Sequence, residues 1–415
     1  MSFKSFNLHP RIESGIKALG YEKPTPIQQQ CIPSIIEMRD VMAMAQTGTG
    51  KTAAFVLPIL QRLMAGPRRH IRALIIAPTR ELADQLHEAV SRLGSGTGLR
   101  GITIYGGVNK NPQIKKLREG VEIVVACPGR LLDLMNQKEV NVSGLEMLVI
   151  DEADRMFDMG FLPDIRKIVK RLPAKRQTLL FSATMPDEIR KLAREITQNP
   201  LSIRVDDTIP ISTVSHALYP VEPHLKTALL MKLLDKTDTE SVLVFTRTRS
   251  RATRLATQIK KAGFVAASLQ GDLPQNKRQD ALRGFRDGRY QILVATDIAA
   301  RGIDVSRISH VINYDMPNTV DEYTHRIGRT GRAAKTGDAF SFVTGEDSSF
   351  VWAIEKVLGG ALEKRTLEGF AYTVPGPMVH TSGNLRSLQP SSQKGFPAVK
   401  GRSFGRRRSA SARSW

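Results

Sequence analysis

The chain has 415 residues, 41% of them hydrophobic, and 61 Lys and Arg against 40 Asp and Glu give a net charge of +21. That length supports two or three domains with cores of their own, and the basic excess favours a polyanionic partner, although an anionic membrane surface would attract it too. Apolar runs fall far short of a membrane span, Met1-Ser2-Phe3-Lys4 carries no apolar signal core, and Cys31 and Cys127 form neither a metal-ligand spacing nor a disulfide framework, so a reducing cytoplasm is the expected compartment.

At the front, Pro10 starts a helix whose apolar Ile12, Ile16 and Leu19 share one face, and Gly20 ends it. Short apolar runs then alternate with helical patterns. Strands are expected near 41–45, 73–77, 102–105, 122–126, 146–150, 177–181 and 201–204. A second series lies near 216–220, 241–245, 265–269, 290–295, 308–313 and 338–343. The alternation predicts an α/β class with parallel sheets covered by helices. Asp206-Asp207-Thr208-Ile209-Pro210-Ile211-Ser212 interrupts the series and reads as a linker, 206–212, between domains at 1–205 and 213–372. Residues 373–415 hold eight Lys and Arg, no Asp or Glu, and many Gly, Ser and Pro. They read as a disordered basic tail able to track phosphates, with Phe404 available to stack; a merely solubilising tail is the plainer alternative.

Two stretches carry chemistry. Ala45-Gln46-Thr47-Gly48-Thr49-Gly50-Lys51-Thr52 follows the apolar Val41-Met42-Ala43-Met44 and precedes Ala53-Ala54-Phe55-Val56-Leu57, which reads as strand, Gly-rich turn and helix start. Backbone N–H groups in such a turn cradle phosphates, Lys51 reaches the β/γ-phosphates and the Thr52 hydroxyl holds Mg²⁺. Position 45 is Ala where the general pattern asks for Gly. Asp151-Glu152-Ala153-Asp154 follows the buried-strand pattern Met147-Leu148-Val149-Ile150, so acidic groups sit at a strand end where a Mg²⁺-bound triphosphate needs a carboxylate and a water activator. Alone, such a quartet is an ordinary acidic helix start. In this order the two predict an NTPase.

Taken in sequence, the segments from about residue 3 to residue 345 resemble the DEAD-box RNA helicases, and the opening Ser2-Phe3-Lys4-Ser5-Phe6-Asn7-Leu8 looks most like the bacterial RhlE type. The resemblance implies two tandem RecA-like domains closing over ATP and single-stranded RNA. Gly20-Tyr21-Glu22-Lys23-Pro24-Thr25-Pro26-Ile27-Gln28 resembles the family's Q motif, with Gln28 pairing the adenine edge and Tyr21 stacking on the base, Phe3 behind it. Asp151 is implied to hold Mg²⁺ through its water shell, Glu152 to deprotonate the attacking water, and Asp154 to tie the site to Ser182-Ala183-Thr184. RNA contacts are implied at Arg80, Gly106-Gly107 and Arg130 in the first half, and at Arg247 and Thr296 in the second. The helix after Arg130 is expected to wedge against the RNA and bend it. The resemblance implies a nucleotide-side contact at Asp304 and an interdomain coupling role for His325, and Arg329 and Arg332 resemble arginine fingers. Cys127 stands where the family usually has Thr, and Gln270 where it usually has His, which predicts one weakened RNA contact and a milder departure.

The resulting expectation is an RNA-stimulated ATPase that unwinds short duplexes by closing two domains, each binding part of the ATP and part of the RNA. Ribonucleoprotein or ribosome-assembly partners fit such an enzyme. A non-enzymatic RNA clamp or annealing chaperone dominated by the tail, and a DNA-directed translocase of the same superfamily, are the competing readings. Intact hydrolytic residues oppose the first, and the Gln28 motif with Asp-Glu-Ala-Asp opposes the second.

Overall fold

Four-residue runs such as Ala73-Leu74-Ile75-Ile76 and Met147-Leu148-Val149-Ile150 are buried along their whole length, as parallel strands covered on both faces must be. The computed structural model describes residues 2–46, 48–205, 214–237, 240–300, 308–331 and 337–373. The expected linker at 206–212 and the tail beyond Thr373 lie outside these.

The first sheet contains β1 (Val41–Met44), β2 (Ala73–Ile76), β3 (Gly101–Ile104), β4 (Ile123–Ala126), β5 (Met147–Ile150), β6 (Gln177–Ser182) and β7 (Leu201–Arg204). The second contains β8 (Val214–Pro220), β9 (Val242–Phe245), β10 (Ala266–Leu269), β11 (Ile292–Ala295), β12 (His310–Asn313), β13 (Gly337–Val343) and β14 (Glu363–Lys364). Their orders are β3-β4-β2-β5-β6-β1-β7 and β10-β11-β9-β12-β13-β8-β14. Adding seven to each strand number of the first sheet reproduces the second. Every pairing is parallel. The topology is one doubly wound unit used twice.

Around the first sheet lie α1 (Pro10–Ala18), α2 (Pro26–Ile36), α3 (Lys51–Leu63), α4 (Arg80–Leu93) and α5 (Asn111–Glu119). They are followed by α6 (Pro128–Asn136), α7 (Ala153–Asp158), α8 (Leu162–Val169) and α9 (Asp187–Ile196). The second sheet carries α10 (Lys226–Lys236), α11 (Arg249–Lys261), α12 (Gln275–Arg286), α13 (Asp297–Ala300), α14 (Val320–Ile327) and α15 (Ser348–Leu358). Successive strand residues feed opposite cores: Ile75, Val149 and Phe181 join Phe55 and Ile59 of α3 on one side. Leu74, Ile76, Leu148 and Leu180 join Leu134 of α6 and Ile165 of α8 on the other. The Phe55 and Phe181 rings lie 5.2 Å apart.

The expected strands are all present with ends shifted by a residue or two, and β14 is an addition. Its two residues are exposed and pair with Ala217 and Leu218 of β8 at the sheet edge, so no burial pattern announced it. On α1, Gly15 lies against the backbone carbonyl of Leu93, and a Cβ there would overlap it. Gly15→Ala is therefore expected to destabilise the first half by about 1–3 kcal/mol through overpacking, outweighing a helix-propensity gain of about 1 kcal/mol. A urea midpoint that stays or rises would contradict this.

Candidate active site and nucleic-acid interface

Parallel pairing puts every strand's C-terminal end on one side, and β5, β6 and β1 are neighbours. The loops they feed, at Asp151–Asp154, at Ser182–Thr184 and at Gly48–Thr52, therefore converge. Gly48 and Gly50 in the last of these adopt φ of 92° and 93°, a region that side-chain-bearing residues rarely enter. Helix α3 follows with no side-chain cap at Gly50, so the N–H groups of its first turn carry no internal acceptor from a capping residue. Lys51 is buried, and its Nζ donates to the Ala45 carbonyl at 2.9 Å, leaving two ammonium hydrogens for other acceptors. Thr49 Oγ1 donates to Gln46 O at 2.9 Å. Thr52 occupies the second position of the helix.

Gln28 packs onto this loop. Its Oε1 accepts from Thr25 N–H at 3.0 Å and its Nε2 donates to Gly50 O at 3.1 Å. A Cβ on Gly50 would meet Gln28 Nε2 at 2.5 Å, so the glycine is required by contact as well as by φ. The amide retains one hydrogen and one lone pair for an external partner. Tyr21, 42% exposed, stacks on Phe3 with ring centroids 6.3 Å apart.

The acidic loop is buried. Desolvation raises the Asp151 pKa to about 6, with the Lys51 charge opposing and Glu152 adding to the rise. Glu152 adopts φ 55° and ψ 52°, left-handed backbone that strains a non-glycine residue, and its Oε2 meets Arg155 Nη1 at 3.1 Å. Asp154 N–H donates to Ser182 Oγ at 3.1 Å. Its carboxylate accepts from Ala183 N–H at 3.1 Å, Thr184 N–H at 2.8 Å and Thr184 Oγ1 at 3.2 Å. Burial alone would raise the Asp154 pKa, but the Thr184 N–H and nearby cations leave it below the ordinary carboxylate range. Among the described residues no group of three or more His, Cys, Asp or Glu is arranged to hold a metal ion. An ion beside Asp151 would thus draw ligands from phosphate and water, which suits Mg²⁺ and not an all-protein cage.

A cavity of about 540 Å³ is walled by Asp154, Arg155 and Thr184 from the first half and by Asp297, His325 and Arg329 from the second. Burial, reinforced by the charges of Arg155 and Arg329, holds the His325 imidazole far below its usual pKa and therefore neutral. Arg326 faces inward: it binds both Asp297 oxygens at 2.6 and 2.7 Å, Asn313 Oδ1 at 3.0 Å and Asp315 O at 2.7 Å. Its guanidinium also lies 4.9 Å from the Phe245 ring centroid, which fixes the base of α14. Thr47, Asp304 and Arg332 lie outside the described residues.

The expected RNA residues occupy the other part of each sheet edge. Gly107, Arg130 and Arg80 follow β3, β4 and β2, three adjacent strands. The Arg80 guanidinium rests against Gly107, where a Cβ would displace it, and its Nη1 donates to Gln275 Oε1 at 3.2 Å. Arg130 donates from Nη1 and Nη2 to Val108 O at 3.4 and 3.3 Å. Thr296 and Arg247 follow the adjacent β11 and β9, and the Arg247 N–H donates to Asp315 at 2.9 Å. Gln270 Oε1 accepts from Asp272 N–H at 2.6 Å and shapes its own turn.

Helices α4 and α12 join the two halves. Glu81 pairs with Arg278 at 2.7 Å, both largely buried, and Gln279 donates to Asp84 at 3.2 Å. Sequence reasoning did not find the Glu81–Arg278, Arg326–Asp297 or Glu152–Arg155 pairs. The last has the i,i+3 spacing that marks neighbours on a helix face; the first joins residues 197 apart with no local signal.

Residues 25–192 match the DEAD/DEAH box helicase family model, and residues 225–334 match that of the helicase conserved C-terminal domain. The chain is 42% identical over 358 residues to the DEAD-box ATP-dependent RNA helicase CshA of Bacillus subtilis, covering 86% of this chain and 72% of that one. The chain belongs to the DEAD-box helicase family. It is 41% identical over 386 residues to the ATP-dependent RNA helicase DeaD of Buchnera aphidicola, covering 90% of this chain and 64% of that relative's length. Among solved structures it is similar to Saccharomyces cerevisiae Dbp5 bound to RNA and ADP BeF3, with a TM-score of 0.80, 32% identity and coverage of 88% of this chain and 95% of that one. Two RecA-like units account for the duplicated topology.

Where the family usually has Thr, Cys127 caps α6 without a side-chain hydrogen bond, and burial pushes its thiol up to about 12. Cys31 is fully buried and likewise pushed up to about 12 by burial. Cys31 is therefore expected to resist a disulfide reagent near pH 8 in the native state and to react only after denaturation, with the half-buried Cys127 reacting first. Rapid native reaction of Cys31 would contradict the burial argument.

Proposed function

We propose that the chain is an ATP-dependent RNA helicase that clamps single-stranded RNA between its two RecA-like units and opens short duplexes locally. The observation that carries this reading is the Asp154 carboxylate, bonded to the loop after β6 while walling the cavity it shares with His325 and Arg329. The carboxylate that follows Asp151 and Glu152 in the chain thereby shares a cavity with the Arg329 guanidinium of the other unit, which supports catalysis by groups from both. Division into units at 1–205 and 213–372, joined by 206–212, is supported by the two matching sheets.

The roles follow from chemistry. Gln28 and Tyr21 would select and stack adenine, and the backbone from Gln46 to Gly50, with Lys51, would receive the phosphates. Thr52 and Asp151 would hold Mg²⁺, Asp151 through water. Mg²⁺ when bound supplies neutralisation of charge on the phosphate oxygens. Glu152 would take a proton from the attacking water, its direction fixed by the Arg155 pair and its strained backbone. Arg329, with Arg332 beside it in sequence and Asp304 on the nucleotide side, would neutralise charge on the terminal phosphate as its bond to ADP breaks. Arg80, Gly107, Arg130, Arg247 and Thr296 would hold phosphates and 2′-OH groups, favouring RNA over DNA without reading sequence. Asp154, Ser182, Thr184 and His325 would couple the two sets.

Opening residues 2–8 support a placement nearest the RhlE type within the family, and the basic balance supports ribonucleoprotein or ribosome-assembly partners in the cytoplasm. Among the described residues no helix is long and apolar enough to cross a membrane.

Steady-state ATP hydrolysis without nucleic acid, with single-stranded RNA and with DNA of the same sequence tests the proposal. Strong stimulation by RNA alone is expected; equal stimulation by DNA would favour a DNA translocase, and none by either would contradict a coupled clamp. Glu152→Gln is expected to keep ATP-dependent RNA binding while losing turnover, and residual hydrolysis at wild-type rate would remove Glu152 from its role. Arg329→Ala is expected to lower kcat by about 10³-fold or more, in the range of arginine-finger losses. A drop under tenfold, measured at saturating ATP and RNA, would contradict it.

A further inference from the structure

We propose that Arg68, Arg69 and Arg100, on the N-terminal edge of the first sheet, form a second RNA-phosphate contact that grips RNA running beyond the clamp. The proposal rests on the helicase reading and extends it to a face opposite the motifs. Arg100 precedes β3, and Arg68 and Arg69 lie in the loop before β2, so all three sit at the strand ends remote from the clamp residues.

One buried carboxylate builds the patch. Glu122, 1% exposed, accepts from Arg69 N–H at 2.6 Å through Oε1 and from Arg100 N–H at 2.7 Å through Oε2. Both bonds go to backbone, so the carboxylate holds the two loops together through their N–H groups and not through the guanidinium groups. Arg69 adopts φ 62°, a left-handed conformation that strains a non-glycine residue. Gly120 makes room for it, since a Cβ there would lie 2.5 Å from Arg69 Cβ. Among the described residues the Arg68, Arg69 and Arg100 side chains have no hydrogen-bond or ion-pair partner, and all three are exposed. Neighbouring cations differ: Arg62 and Arg72 both bind Glu146, and Arg118 binds Glu139. The chain thus neutralises adjacent arginines and leaves this set for an outside anion.

Four-residue strands at about 3.3 Å per residue separate the two edges by about 13 Å plus the loops, a distance that a strand leaving the clamp spans in a few nucleotides. The plainer role for these arginines is to offset the negative C-terminal ends of the helices that finish on this edge. That role predicts lost stability on their removal and no change in RNA binding.

The test compares the full chain with its Arg68→Gln, Arg69→Gly, Arg100→Gln triple variant. Each is titrated over a salt series with a single strand that just fills the clamp and with the same strand extended by an unstructured uridine run. Glycine suits the left-handed position 69, so the variant is expected to fold with an unchanged or higher thermal midpoint. On extended RNA the slope of log K against log salt is expected to be shallower in the variant by about 2, from three phosphate contacts at about 0.7 each. On the short strand the two proteins are expected to match in slope and in stimulated ATP hydrolysis. Equal slopes on extended RNA, with or without a fall in midpoint, would overturn the proposal. Failure of the short strand to stimulate wild-type hydrolysis would strike the helicase reading instead, and the slope comparison stands apart from it.

Discussion

The carboxylate of Asp154 is the joint on which the site depends. It is buried, held below the ordinary carboxylate range, and satisfied by two backbone N–H groups and one hydroxyl from the loop after β6. A buried charge with a single missing partner costs several kcal/mol, so neither loop moves without the other. Glu152 and Asp151 are carried on the same segment, and the loop after β1 is anchored to the same neighbour through Ala45 N–H and Ser182 O at 3.0 Å. Three loops far apart in sequence therefore behave as one body.

Each sheet divides its C-terminal edge between two tasks. In the first, β1, β5 and β6 carry the groups proposed to bind nucleotide, and β2, β3 and β4 carry Arg80, Gly107 and Arg130, proposed to bind RNA. The second sheet repeats the order, which is why Arg247 and Thr296 fall at corresponding places. Contacts between α4 and α12 bring the halves together through Glu81 and Arg278, but desolvating such a pair offsets much of its attraction. In the proposed clamp, closure then draws its driving force from ligands that touch both units. Gln275 also crosses between the units, accepting from Arg80 at 3.2 Å.

Much of the architecture was legible because parallel strands buried on both faces leave unbroken apolar runs, and because glycine-rich and acidic turns sit at their ends. Strand β14 was not, since two exposed edge residues carry no periodicity. Gln28 was read as a ligand-facing amide, and the structure shows in addition that it caps its own helix and supports Gly50, a packing role that no spacing reveals. Likewise the strained backbone of Glu152 and the inward Arg326 depend on tertiary partners. Arg326 and Arg329 look alike in sequence and both line the cavity, and only the tertiary position of Asp297 reveals the two-oxygen pair that holds Arg326.

The most direct measurement of the central claim is RNA affinity with and without a non-hydrolysable ATP analogue, together with analogue affinity with and without RNA. Split sites that close together predict tightening of both by the same factor, about 5- to 150-fold for a coupling of 1–3 kcal/mol. Equal affinities in the presence and absence of the other ligand would mean that the two edges act independently and would contradict the account.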